Sequence, residues 1–577
     1  MTLTTLLPPL FLLAALIGWT ISLIATIKSH LHILQLEDYE SARMLKIQLR
    51  NLSRWNLAGW DLAAAPFLIG ASFLFQPYSP SRTASTLFLA GCLIWGAMML
   101  RSSARKNQRL KLAKKALILT ARAKRILWVT LLASALIWLW GSYRLFILCS
   151  SSSISFAKSI PIGSGLTLEW NYPIVFGWLL FLTAYMIERG SPFFLTIASA
   201  ILRPVETTIQ RRYLRDARRI IAELHPIVIG ITGSYGKTGT KALLTAMLAR
   251  KSNVYCPPGS YNTLMGITRV IRDGLRPYHD LFVVEMGAYR VGSIARLCDL
   301  VHPTHGIITT IGVQHLERFK NQDAIRQAKS ELIKALPLNG ISVLNGDDDA
   351  CRTIANDSKG EVVFFSLAKP DPNVPTVVAD QIQVGLNGTD FRIRYADSEY
   401  QNIHLSLLGR SAVSNAVAAA AMADRLGVPR KAISEALASM PHVRHRLEPI
   451  SRAGGITVID DAYNSNPVGA RNALELLAQA KTGRRILLTP GMIELGEMEV
   501  EANRQFGRDA AAACDLVVLV GFKRSKPIAE GLLELGFSPD AIWTVGSLNT
   551  GLERLTGFLK AGDTILLEND LPDQYSE

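Results

Sequence analysis

Five apolar stretches of bilayer length fall within the first 190 of 577 residues, near 5–27, 57–75, 84–100, 126–148 and 170–187. A helix needs roughly 20 apolar residues to cross a hydrocarbon layer. The pattern therefore predicts an α-helical membrane domain of about five transmembrane helices over 1–190. The charges between the stretches choose an orientation. Segment 28–56 carries Lys28, Arg43, Lys46, Arg50 and Arg54, and segment 101–125 carries ten Lys and Arg residues, from Arg101 to Arg125. Segments 76–83 and 149–169 carry only Arg82 and Lys158. Basic loops stay in the cytoplasm. The expected arrangement is a multi-pass protein of the cell (inner) membrane, N-terminus outside, with everything after Arg189 in the cytoplasm.

The first stretch has no basic flank and no clear small-residue cleavage site, so it is expected to remain as a helix. Residues 191–224 form a basic linker. Its stretch 203–219, with six arginines, suits an amphipathic helix on the inner membrane surface, and a solvated helix fits the charge pattern equally. The spans hold almost no charged residues, which argues for an anchor or a substrate-presenting platform over a transport path. The net charge of +15 comes mainly from the membrane loops, so anionic lipid is the expected partner and nucleic acid is not. Six cysteines without a C-x-x-C pair suggest neither a zinc cluster nor a redox motif.

At His225 the texture changes. "HPIVIGIT" reads as a buried strand, "GSYGKT" follows, and "KALLTAMLAR" reads as a helix. Strand, glycine loop, helix is the setting of a phosphate loop. Gly233, Ser234, Tyr235 and Gly236 would wrap backbone amides around phosphate oxygens, Lys237 would neutralise them, and the Thr238 hydroxyl would reach Mg²⁺. The loop is shorter than the common form, whose first glycine would fall at Ile231. A second strand, "DLFVVEMG", ends on Glu285, placed to hold a cation at a sheet edge. A third empties into His315, and "DAIRQAKSELIKAL" is a helix bearing Lys329.

Taken together, "GSYGKTGT", "GSYNTLMGI", "VVEMGAYRVGSI", "TTIGVQHLERF", "QAKSEL", "LNGDD", "HRLEPI", "IDDAYNSNP" and "GMIELGE" resemble the Mur ligases in sequence and order. Those are ATP-dependent enzymes that extend peptidoglycan stem peptides, and the likeness is strongest to the dipeptide-adding branch. The resemblance implies a P-loop central domain with a mostly parallel sheet over 225–443 and a smaller Rossmann-like C-terminal domain over 444–577. It implies ATP and two Mg²⁺ ions. Lys237 and Thr238 would hold phosphates and the first ion, which Glu285 completes. His315 and a carbamylated Lys329 would hold the second. Asn262 would lie near the phosphates, Arg446 would reach the γ-phosphate, Asp461 would bond the ribose, and Asn415 would lie near the adenine. The partners implied are a carboxylate acceptor and an amino acid or dipeptide amine donor.

The match has gaps. Membrane sequence stands where the family's UDP-sugar-binding domain would be, which favours a lipid-linked stem peptide as acceptor. Ser411 and Ala412 replace a His-Asn pair, Gly491 an aspartate and Asn503 a histidine. The usual lysine-glycine-serine-arginine run near the end gives way to "ENDLPDQYSE". That acidic end suits either a cationic substrate or a solvated tail. Within 360–408 the short alternating runs predict an antiparallel sub-sheet. Two other readings stay open: a poly-γ-glutamate-type or amidating ligase, and a non-catalytic nucleotide-binding scaffold for wall synthesis.

Overall fold

The computed structural model describes residues 3–36, 39–50, 82–112, 117–150, 160–161, 167–168, 172–312, 319, 321–368, 374–442, 445–452, 454–462, 465–493 and 495–570. Met1–Ile209 and Gln210–Leu571 form two compact units.

In the first unit lie α1 (Leu3–Leu36), α2 (Ser41–Arg50), α3 (Arg82–Leu112), α4 (Ala121–Ser150) and the start of α5 (Tyr172–Leu224). Among the described residues, two segments are long and apolar enough to cross a membrane, Leu13–Leu36 and Ala121–Leu145. The stretch expected at 57–75 lies outside the described residues. Those at 84–100 and 170–187 fall within α3 and α5. The fifth stretch and the basic segment 203–219 belong to one helix, because α5 continues through Pro192 and Pro204 to Leu224. Trp19, Leu23, Ile27 and Leu31 of α1 pack with Trp95 and Met99 of α3 and Ile126 of α4. A Cβ on Gly18 would meet the Gly96 carbonyl at 3.0 Å, so a glycine is what lets α1 and α3 approach so closely.

The interior of this unit is more polar than the segment boundaries suggested. α3 extends past its apolar stretch, and Lys106 donates to Glu188 Oε1 at 2.8 Å. Ser22 and Thr26 of α1 donate to the same oxygen at 3.0 and 2.7 Å. A carboxylate in apolar surroundings must be paired in this way.

The second unit holds two sheets. Strands β1 (Ile227–Thr232), β2 (Val254–Tyr255), β3 (Leu281–Glu285), β4 (His305–Ile308), β5 (Ile341–Asn345), β6 (Glu361–Ser366), β7 (Thr376–Gly385), β8 (Gly388–Arg394) and β9 (Tyr400–Leu405) lie in the order β9-β8-β7-β6-β5-β4-β1-β3-β2. The pairings from β2 through β7 are parallel, and β8 is antiparallel to β7 and β9. The antiparallel sub-sheet is thus smaller than expected. "EVVFFS" is β6, parallel to both neighbours, and its last four residues are all buried. A strand covered on both faces suits the parallel interior of a sheet.

The other sheet has β10 (Glu448–Arg452), β11 (Ile456–Asp461), β12 (Arg485–Thr489), β13 (Leu516–Val520), β14 (Ile542–Val545) and β15 (Thr564–Glu568) in the order β10-β11-β15-β12-β13-β14. Only the β10–β11 pairing is antiparallel. Both sheets present carboxyl-terminal strand edges, where open α/β sheets hold their ligands.

Candidate active site

The glycine loop leaves β1 and enters α6 (Lys237–Leu248). Gly233 and Gly236 have φ of 151° and 84°, and a Cβ on either would lie 1.9 Å from Thr309 Oγ1 or 2.3 Å from Asn415 Oδ1. Only glycine fits both the backbone and the space. Ser234 ties the loop to the end of β4: its amide donates to Thr310 O at 2.8 Å and its hydroxyl to Gly312 O at 2.9 Å. The Tyr235 ring lies over Gly312, and its hydroxyl is buried without a hydrogen-bond partner.

Lys237 Nζ donates to the carbonyls of Gly233 and Ser234 at 2.6 and 3.2 Å. Burial lowers its pKa to about 8, against the opposing pull of Glu285. Lys237, Gly233, Ser234, Asn262, Gly287 and Lys329 line one pocket, so the expected phosphate loop, asparagine and helix lysine converge. Asn262 O accepts from the Gly287 amide at 2.9 Å, which fixes the loop that carries it.

Thr238 Oγ1 donates to Glu285 Oε2 at 3.3 Å and lies 3.5 Å from Ser260 Oγ. Hydroxyl and carboxylate together make an oxygen pair that suits Mg²⁺, whose other positions would fall to water and phosphate. Lys329, on α7 (Gln322–Ala335), is 5% exposed. Burial and then Lys237 hold its pKa well below the ordinary lysine value. A neutral amine at this place can add CO₂, as the expected carbamate requires. His315 lies outside the described residues.

Asn415, on α8 (Arg410–Arg425), accepts from Thr240 at 3.2 Å and packs on Gly236 and Gly239. It meets the start of the phosphate-loop helix. Ser411, one of the departures from the family pattern, accepts from Asn472 Nδ2 at 2.7 Å, tying α8 to the helix Pro467–Leu477.

Asp461 ends β11 and stands opposite Glu568, which ends the parallel neighbour β15. Both are buried. Burial pushes Asp461 up to about 6 against the pull of Arg446. Burial, and then the neighbouring Asp461, hold Glu568 well above the usual carboxylate range. Ser465 donates to Glu568 Oε1 at 2.6 Å, and the Leu447 amide donates to Asp461 Oδ1 at 3.3 Å. The charge of Arg446 is felt by Asp461, Glu568 and Lys237 alike, so it lies near both the carboxyl pair and the phosphate loop.

Glu568 is no part of a solvated tail: it is 1% exposed. The other two departures prove to be one feature. Gly491 has φ of 83°, and a Cβ there would lie 2.6 Å from Asn503 Oδ1. Asn503 bonds both backbone groups of Met492, at 2.8 and 3.0 Å. Residue 491 must be small where residue 503 is this asparagine.

Sequence reasoning missed Lys241, Asp348 and Glu568. Asp348 Oδ2 accepts from Thr310 Oγ1 and the Ile311 amide at 2.9 and 2.7 Å, holding the chain just before residues 313–318. Its signal was the "LNGDD" stretch. Lys241 looked like any helix lysine, one turn beyond Lys237.

Family profiles for the Mur ligase middle domain and for the Mur ligase, glutamate ligase domain match residues 231–423 and 445–568. The UDP-N-acetylmuramoyl-tripeptide–D-alanyl-D-alanine ligase of Mycobacterium tuberculosis (strain ATCC 25618 / H37Rv) is 36% identical over 307 residues, 52% of this chain and 59% of its own length. The chain thus spans somewhat over half of that relative. The ligase of the same name from Escherichia coli (strain K12) is 31% identical over 342 residues, 58% of this chain and 74% of its own. The crystal structure of MurF from Acinetobacter baumannii superposes with a TM-score of 0.57 at 26% identity, over 63% of this chain and 78% of that one. MurF from Thermotoga maritima, in complex with ADP, gives 0.55 at 25%, over 63% and 80%.

Proposed function

The chain belongs to the Mur ligase family, and from that premise we propose that it is a membrane-bound, ATP-dependent amide ligase of cell-envelope synthesis. It joins a carboxylate, carried on a peptidoglycan stem peptide or a related polymer precursor, to the amine of an amino acid or dipeptide. The observation that carries this reading is the convergence of Lys237, Asn262 and Lys329 on one pocket beside the Thr238–Glu285 pair.

A carboxylate is a poor acyl donor because its leaving group would be oxide. Its oxygen therefore attacks the γ-phosphorus of ATP, the bond to the β-phosphate oxygen breaks, and ADP leaves. The amine then attacks the acyl phosphate, inorganic phosphate departs, and the amine gives up a proton. Lys237 and the loop amides offset the charge that builds as two anions meet. Arg446, from the second α/β domain, adds positive charge from the other side. Magnesium, held by Thr238 and Glu285 at one position and by His315 and carbamylated Lys329 at the other, would supply further charge neutralisation. Asp461 would orient the nucleotide through its ribose.

Attachment to the membrane is supported by Ala121–Leu145, whose Leu132, Leu136, Leu139 and Trp140 are 57–66% exposed. An apolar helix face of that size suits acyl chains. A five-span, multi-pass anchor at the inner membrane, with the ligase domains cytoplasmic, would suit a lipid-linked acceptor.

The test is ADP release by detergent-purified full-length protein, with UDP-linked and lipid-linked tripeptides as acceptors and D-alanyl-D-alanine, single amino acids or ammonia as amines. Release that requires one acceptor–amine pair, and is lost in Lys237→Ala, bears the proposal out. ATP binding without release for any pair would favour a scaffold. Recovery of the protein in the soluble fraction would remove the membrane part alone.

A further inference from the structure

Lys241 is a buried cation that the reaction scheme leaves unused. It sits one turn after Lys237 on α6 and is 4% exposed. Its Nζ donates to Pro257 O at 3.0 Å and Gly259 O at 2.5 Å. It also lies 3.0 Å from Glu285 Oε1, the carboxylate oxygen that makes no hydrogen bond of its own. The other oxygen, Oε2, receives Thr238. One ammonium thus joins α6, the loop that carries Ser260 and Asn262, and the carboxylate at the end of β3.

Glu285 is 1% exposed, so water screens this pair weakly. The pair is close to neutral as a unit. A divalent ion approaching Glu285 from solvent meets a carboxylate whose charge is already balanced, with Lys237 as a second nearby cation. Triphosphate brings several negative charges and changes that balance.

We infer that Lys241 is a positioning residue that sets the order of binding: it balances Glu285 until nucleotide arrives, so the divalent ion enters with the nucleotide and not before it. The inference rests on the reading of Thr238 and Glu285 as ligands of the first ion. Lys241 also keeps Oε2 turned to Thr238 by holding Oε1.

Manganese, followed by the loss of its free electron-paramagnetic-resonance signal, tests this on the full chain in detergent. Wild-type protein should take up no site-specific Mn²⁺ alone, and should take it up when an ATP analogue with a non-hydrolysable β–γ bridge is added. Lys241→Met should bind Mn²⁺ without nucleotide, at a level roughly tenfold or more above the wild-type background. The gained binding should vanish in Lys241→Met combined with Glu285→Gln, while Lys241→Arg should behave as wild type. Nucleotide-free wild-type protein that binds Mn²⁺ in a Glu285-dependent manner overturns the inference, whether or not the methionine variant folds. So does a folded Lys241→Met that gains nothing. Uptake with nucleotide that is indifferent to Glu285→Gln overturns the ligand reading instead, and the inference with it.

Discussion

The two sheets of the second unit present the same kind of edge and fill it with opposite chemistry. At the edge of the nine-stranded sheet stand the half-buried Lys237 and the buried Lys241 and Lys329, with Lys241 paired to Glu285. At the edge of the six-stranded sheet the buried Asp461 and Glu568 stand opposite each other. Burial pushes Lys237 and Lys329 down and both carboxyls up, in each case toward the neutral form. Arg446 is coupled to both edges. The comparison teaches that the same kind of strand edge gathers cations in one sheet and carboxyls in the other.

Breaking the lysine edge should cost most. Lys237→Ala is expected to lower ADP release about a thousandfold, since it removes charge facing the phosphates. A thermal melt should shift little. A loss below tenfold would mean that another group carries that charge. Arg446→Gln comes next, with about a 10- to 100-fold fall in kcat and a smaller change in the KM for ATP, because its charge matters most as charge builds. A change confined to KM would make Arg446 a ground-state contact only.

Glu568→Gln sharpens the acidic edge. Asp461 and Glu568 have folded-state pKa values above their unfolded ones, so their stabilising contribution is present below about pH 4 and is lost as pH rises, for Asp461 through about 6. The variant removes one titrating group and should flatten that loss. Its melting temperature should exceed wild type by a few degrees near pH 8 and match it near pH 4.5. Equal pH dependence in the two proteins would show that Glu568 does not titrate with a raised pKa.

The smallest effect belongs to the glycine beside Asn503. Gly491→Ala should destabilise by about 1–2 kcal/mol, from strain at positive φ and from contact with Asn503. Adding Asn503→Ala should cost less than the two single changes summed, as a double-mutant cycle in denaturant would show. Strict additivity would separate the two positions.

Much of the nucleotide edge was legible in the chain. Glycines with positive φ, a lysine and a threonine at a strand–helix junction have few other uses, and Lys237, Thr238 and Glu285 meet as expected. Asn415 packs against Gly236, a contact that depends on how closely α8 approaches that turn and that only the fold shows. β6 was assigned to an antiparallel patch because short apolar runs look alike in either sheet type. Glu568 read as part of a tail because its partner is far away in sequence, one strand over in space.

By itself the sequence determined that apolar helices precede a phosphate-loop domain and a second α/β domain. Periodicity and glycine spacing are local properties, set within a few residues. Tertiary structure decided which groups meet: Lys241 with Glu285, Asp461 with Glu568, and Gly491 with Asn503. Those pairings depend on strand order and helix approach, which bring together groups from distant segments, and burial then sets how strongly each charge is felt.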